Sequence, residues 1–258
     1  MNNTLTERDI KIRAFRATED KETCLKFIEG HRKVLSIYGL ENITTNVNSW
    51  IYNPSIFVIV VEPLNGEKLY GGVRLQCVDG IHPLPIEDAV GKMDRTIHEI
   101  VHHSSLNGAA EVSGLWNSKE VAGLGIGSFI PTRCTVAIAE QLGINTFFGL
   151  CAPATVRFNQ WLGSKILTTV GNNGTFYYPK LDLIATAVIH EDLPELRDAH
   201  KREREKILFL RRNLQCVINE KSIFKNEHIN IHYDLRISSA DLSEFKLGSK
   251  AVSASLTQ

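Results

Sequence analysis

Two groups of residues have types and spacings that could do chemistry. The first is Glu111 on a short apolar run, Ala110 to Trp116, followed by the bend Gly123-Leu124-Gly125-Ile126-Gly127-Ser128. A strand that passes through glycines into a helix gathers unpaired backbone N–H groups at one point, and the positive end of the helix dipole adds to them. Glycine has no Cβ to keep an anion away from the backbone, so pyrophosphate is the guest that suits such a bend. The dinucleotide fingerprint G-x-G-x-x-G would need glycine at Ser128, and no Gly-Lys-Ser/Thr follows, so neither that pattern nor the P-loop is met. A turn that merely packs a helix tightly on its strand is the alternative.

The second group is His98-Glu99-Ile100-Val101-His102, which matches the zinc-peptidase pattern of two imidazoles one turn apart with a glutamate base. Glu111 or Glu120 could serve as a third ligand, and a zinc-dependent hydrolase is the competing reading. Helix geometry opposes it. Ile86, Ala89, Val90, Met93, Ile97, Ile100 and Val101 form one apolar stripe on a helix expected over 86–103. At about 100° per residue, His98 and His102 fall roughly 110–150° from the centre of that stripe and face solvent. No metal is expected.

The stretch 109–163 resembles the acyl-CoA-dependent N-acyltransferase superfamily, whose pyrophosphate loop reads Gln/Arg-x-x-G-x-G/A. Gly125 and Gly127 fit, and Ala122 stands where the polar first residue belongs. The helix Thr155 to Leu162, ending at Gly163, is similar to the superfamily's later helix, with Asn159 near the position of its usual tyrosine. Over about residues 56–190 the chain also resembles the acyl-homoserine-lactone synthase branch, through Gly72-Val73-Arg74-Leu75 and Glu111-Val112-Ser113, with Gly114 in place of that branch's second arginine. The resemblance implies acyl-CoA (or acyl carrier protein) as donor and the amine of a small molecule as acceptor. It implies that the backbone at Leu115, Trp116 and Asn117 pairs with the pantetheine arm, and that Gly123, Gly125, Ile126, Gly127 and Ser128 seat the pyrophosphate. Asn159 completes the expected cofactor-binding set. Glu111 is the candidate to take the amine proton, with Arg74 beside it lowering its pKa and orienting it. A purely structural salt bridge between the two is the other reading. Trp116 could wall an acyl pocket or simply pack. Tyr177 and Tyr178 are the candidates for protonating the leaving thiolate, or plain strand aromatics. A catalytically silent acyl-CoA-binding protein of the same fold is a third reading.

These residues must be held by ordinary elements. The chain has 258 residues, 43% hydrophobic and 22% charged, with 29 basic against 29 acidic side chains. That is globular composition with no global field favouring nucleic acid or anionic lipid. The longest apolar run, Ile56 to Val61, is far short of the roughly 20 residues that span a membrane, and Met1-Asn2-Asn3-Thr4 opens no signal-peptide core. Five scattered cysteines argue for free thiols and a cytoplasmic protein. Strands are expected at 9–14, shortened or bulged at Phe15 and Arg16, and at 56–62, 69–78, 110–116, 144–151, within 175–189, and 229–235; Asn65-Gly66 marks a hairpin. Helices are expected over 21–38, 86–103, from the bend to Leu142, and 194–215, with Pro131 a difficulty inside the third. The fold class is then α+β (α/β mixed sheet), an acyl-CoA N-acyltransferase-like fold with helices on both faces and a C-terminal helical extension. Residues 1–193 would form the transferase-like domain, and 194–236 a charged helix plus strand appended to it. Residues 237–258 would be a disordered tail. The charged run His200 to Lys206 reads as a solvated face, or as a contact in a homodimer.

Overall fold

The computed structural model describes residues 8–40, 48–222, 225, 227–238, 241 and 244–248. Ten strands form one mixed sheet: β1 (Arg8–Arg16), β2 (Ile56–Glu62), β3 (Gly71–Cys77), β4 (Ala109–Asn117), β5 (Thr146–Cys151), β6 (Lys165–Ile166), β7 (Thr175–Tyr177), β8 (Ile184–His190), β9 (Gln215–Lys221) and β10 (His228–Asp234). Their order is β6-β8-β5-β4-β3-β2-β1-β10-β9, with β7 also on β8. Among the described residues, only β1/β10 and β4/β5 run parallel. The expected mixed sheet is therefore present, and β9 and β10 extend it beyond β1 rather than standing apart.

Alternation decides which face each side chain takes. Ile10, Ile12, Ala14, Phe57, Ile59, Val73, Leu75 and Ala110 point to the face covered by α4 (Phe129–Ile138) and α6 (Lys201–Arg212). Phe15, Val58 and Val60 point to the other face, under α1 (Lys21–Ile37). Alongside α1 on that face lie α2 (Pro85–Val90) and α3 (Thr96–Ser105), over Ala109, Phe148, Ala187 and Ile189. Helix α5 (Pro153–Trp161) packs Phe158 and Trp161 edge-on against Phe129 of α4. No helix among the described residues is long and apolar enough to cross a membrane.

Several local expectations change. β1 runs unbroken to Arg16, because both of its faces are covered there: Phe15 is buried, and Arg16 pairs with Glu244 over the ring of Phe57. The single helix expected over 86–103 is two. α2 stops at Gly91, where a Cβ would lie 2.4 Å from Glu87 O, and Asp94 then accepts from Thr96 N to start α3. Met93, counted in the apolar stripe, is consequently exposed. Pro131 causes no kink, since the regular helix begins at Phe129 and the missing N–H falls in a first turn that has no intrahelical partner anyway. Of the stretch from 237 onward, residues 244–248 are placed: Phe245 is buried edge-on to Phe57, and Gly248 N donates to Leu106 O. Residues 249–258 lie outside the described residues.

Candidate active site

The site is built by a strand pair that comes apart. β4 and β5 are in register only from Ala109↔Thr146 to Glu111↔Phe148. Beyond that point β4 continues to Asn117 and β5 to Cys151 without pairing each other. On its other side β4 stays bonded to β3, with a bulge opposite Val73: Arg74 faces Ser113, but Gly72 already faces Trp116. The extra residue changes the direction of everything after it. Ala109 O accepts from Val78 and Ser118 N donates to Tyr70 O, both toward β3. Counting by twos from each end turns the main-chain groups of Val112, Leu115 and Asn117 to the open side. Consistently, Val112 O lies 3.6 Å from where a Cβ on Gly149 of β5 would stand. Of the three residues expected to pair with pantetheine, Leu115 and Asn117 direct their backbones into the opening. Trp116 instead sends its indole beneath α1, edge-on to Phe27 at 5.8 Å, with its ring atoms filling the space a Cβ on Gly30 would take.

The glycine bend closes the mouth of this opening. Gly125 has φ +78°, a conformation open to glycine at little cost. Gly127 is required for a different reason: a Cβ there would sit 1.9 Å from Asn117 Oδ1. The bend returns through Ile130 N to Gly125 O at 3.0 Å and Thr132 N to Ser128 O at 3.2 Å. Among the described residues, nothing accepts from the amides of Gly125, Ile126, Gly127, Ser128 and Phe129, and Ser128 makes no side-chain cap. Five consecutive donors at the positive end of a helix are thus left over for something else.

At the vertex where pairing stops lies Glu111, 2% exposed, on the face shared by α1 and α2. Its Oε2 accepts from Ile86 N at 2.6 Å, in the first turn of α2. Burial pushes the carboxyl up to about 8, against the opposing pull of that amide and of Arg74. Arg74, two register pairs away on β3 and so on the same face, lies with its guanidinium 4.7 Å over the ring of Trp50; burial lowers it to about 10, and Glu111 resists that shift. The two are therefore brought together as neighbouring charges, with the carboxylate bonded to a main-chain amide. A carboxyl that changes charge near neutrality, beside an unpaired strand edge, can hold and release a proton.

Asn159 on α5 closes the opposite wall: its Nδ2 donates to Thr155 O (3.0 Å) and to Cys151 Sγ (3.3 Å) at the end of β5. It shares a narrow cavity with Val112, Thr132, Ser164 and His190. His190 was not legible as a site residue; its Nε2 is buried without a hydrogen-bond partner, and burial lowers it to about 4. Tyr177 is exposed and Tyr178 packs with the α2–α3 cluster. His98 Nδ1 bonds Glu87 Oε1 at 2.8 Å, His102 is exposed, Glu120 pairs with Lys68, and no group of three metal-ligating side chains exists among the described residues.

No family model matches the chain, and neither does any curated protein. Solved structures do. FeeM, an N-acyl amino acid synthase from uncultured soil microbes, is similar over 76% of this chain and 97% of its own, at TM-score 0.56 and 15% identity. The CoA-dependent acyl-homoserine lactone synthase BjaI, solved with SAM and isopentyl-CoA, covers 93% of this chain and 99% of its own, at TM-score 0.50 and 12% identity. The fold is N-acyltransferase-like. At these identities the likeness is one of architecture, and it agrees with the fold class expected from residues 56–190.

Proposed function

We propose that this protein transfers an acyl group from acyl-CoA, or from an acyl carrier protein, to the amine of a small molecule. The observation that carries the reading is the separation of β4 from β5 beyond Glu111↔Phe148, with five unclaimed amides at its mouth. In this reading the bend 123–128 seats the diphosphate. The pantetheine arm lies along the open edge of β4, bonded by the backbones of Leu115 and Asn117, with Asn159 on the facing wall. A main-chain N–H there polarises the thioester carbonyl; one preorganised donor of this kind is worth roughly 2.7–4 kcal/mol in a well-studied enzyme. The neutral amine attacks the carbonyl carbon, the C–N bond forms and the C–S bond breaks. Glu111 takes the proton from nitrogen, and the thiolate leaves to be protonated in turn. Arg74 keeps the carboxylate form accessible near neutral pH. Residues 1–193 would be the transferase module, buttressed by 194–236, and the protein would act in the cytoplasm without nucleic acid or membrane.

The test is thiol release from a panel of short and long acyl-CoAs with mixed amines, paired with CoA titrations of the wild type and of Gly125→Val. Binding should fall about a hundredfold in the variant, since several charge-assisted hydrogen bonds are lost together, while the protein stays folded. Wild-type affinity retained in Gly125→Val would defeat the reading. Binding with no turnover on any amine would leave a silent acyl-CoA-binding protein.

A further inference from the structure

The loop pattern places a polar side chain at its first position, and this chain has Ala122 there. The structure offers a cation from elsewhere. The strands β9 and β10 are joined by a connection closed at its base by Ser222 N to Glu227 O (2.8 Å) and Glu227 N to Ser222 Oγ (3.2 Å). Lys225 belongs to this connection, and its aliphatic chain lies over the glycine bend. From the position a Cβ on Gly123 would occupy, Lys225 Cε is at 3.1 Å, Cγ at 3.7 Å and Cδ at 3.8 Å. Lys68 pairs with Glu120 and Lys206 with Glu220, whereas no described carboxylate pairs with Lys225.

This placement is held from within. Arg133 of α4, the helix that follows the bend, bonds both carboxylate oxygens of Glu220 on β9 at 3.0 and 2.9 Å. Tyr233 of β10 donates to the same carboxylate at 2.5 Å. Helix α4 and strands β9 and β10 are thereby fixed to each other by buried, charge-assisted bonds.

We propose that Lys225 supplies the side-chain charge of the diphosphate seat, replacing from the β9–β10 connection what Ala122 does not provide. This rests on the acyl-CoA reading above. An ammonium is a compact charge that suits phosphate oxygens, and backbone amides alone would leave part of a diphosphate's charge uncompensated.

The test is calorimetric titration of the full chain with CoA and with dephospho-CoA at two salt concentrations. Lys225→Met should weaken both ligands about tenfold or more and reduce the salt dependence of binding. Lys221→Met, an exposed lysine on the same hairpin, should change neither. Ala122→Arg in the Lys225→Met background should restore much of the loss. Unchanged affinity in Lys225→Met, with the wild type binding CoA, would overturn this assignment alone. A loss confined to CoA, with dephospho-CoA unaffected, would also overturn it by moving the ammonium to the 3′-phosphate. A wild type that binds neither ligand would instead sink the functional reading.

Discussion

Among the described residues, the buried carboxylates Glu220 and Glu111 each lie near a buried arginine, and they are built for opposite ends. Glu220 is surrounded by Arg133, Lys206 and Tyr233, and these neighbours hold its carboxyl down at about 2 against the cost of burial. Glu111 accepts one hydrogen bond, from Ile86 N, with Arg74 as a neighbouring charge, and burial wins, raising it to about 8. The first group never changes charge at ordinary pH and fastens α4 to β9, β10 and α6. The second stands close to its titration point, beside a strand edge with no partner. Saturated buried charge marks scaffold, and undersatisfied buried charge marks chemistry.

The contrast can be broken most forcefully at Arg133. Arg133→Ala leaves the buried Glu220 and the half-buried Glu203 without their shared cation, at a cost of about 3–5 kcal/mol in denaturant unfolding. A loss within about 0.5 kcal/mol, the range of ordinary surface changes, would mean that the cluster holds nothing. Glu111→Gln tests the other pair. It should lower kcat by about 10²–10⁴-fold with CoA affinity unchanged. In the wild type, turnover should rise with pH as the carboxyl ionises and level off above about 8; this limb should be absent from Glu111→Gln. The same rising limb in both proteins would assign the base elsewhere.

The smaller effects lie in stability against pH, and the signs differ. Glu220 is depressed from 4.5, so its contribution is complete above that value and is lost as pH falls toward 2. His31 and His190 are lowered by burial from 6.5 to about 4, so stability already declines as pH falls through that window, where the unfolded chain takes up protons first. Glu111 is raised from 4.5, so the folded state holds a proton that the unfolded chain has released; its contribution is complete below 4.5 and is lost as pH rises through about 8. Melting temperatures from pH 4 to 9 should show both declines. Glu111→Gln should flatten the alkaline one and leave the acidic one in place, and a parallel shift at every pH would contradict the assignment.

What the sequence disclosed follows from range. The glycine bend, the Glu111 strand and the Asn65-Gly66 hairpin are local patterns, and each lies where its residues put it; Gly66 has φ +67°. The separation of β4 from β5 and the bulge opposite Val73 are relations between strands, which no single segment encodes. β9 escaped notice because Gln215, Val217, Asn219 and Lys221 are exposed and its inward residues include Glu220, so its alternation carries little apolar signal. For the same reason Glu203 and Lys206 read as part of a solvated run, although they turn toward the Arg133–Glu220 cluster, up to 87 residues apart in the chain. Phe245, in a Ser-rich stretch, was invisible as core until Phe57 was placed beside it.

The most direct test of the whole account is a crystal structure of the wild type with CoA. It should place the diphosphate on the amides of Gly125 to Phe129, lay the pantetheine arm along β4 past Asn117 and Leu115, and bring the sulfur to the vertex beside Glu111. CoA bound with the bend empty, or with its thiol on the far side of the sheet from that carboxyl, would contradict it.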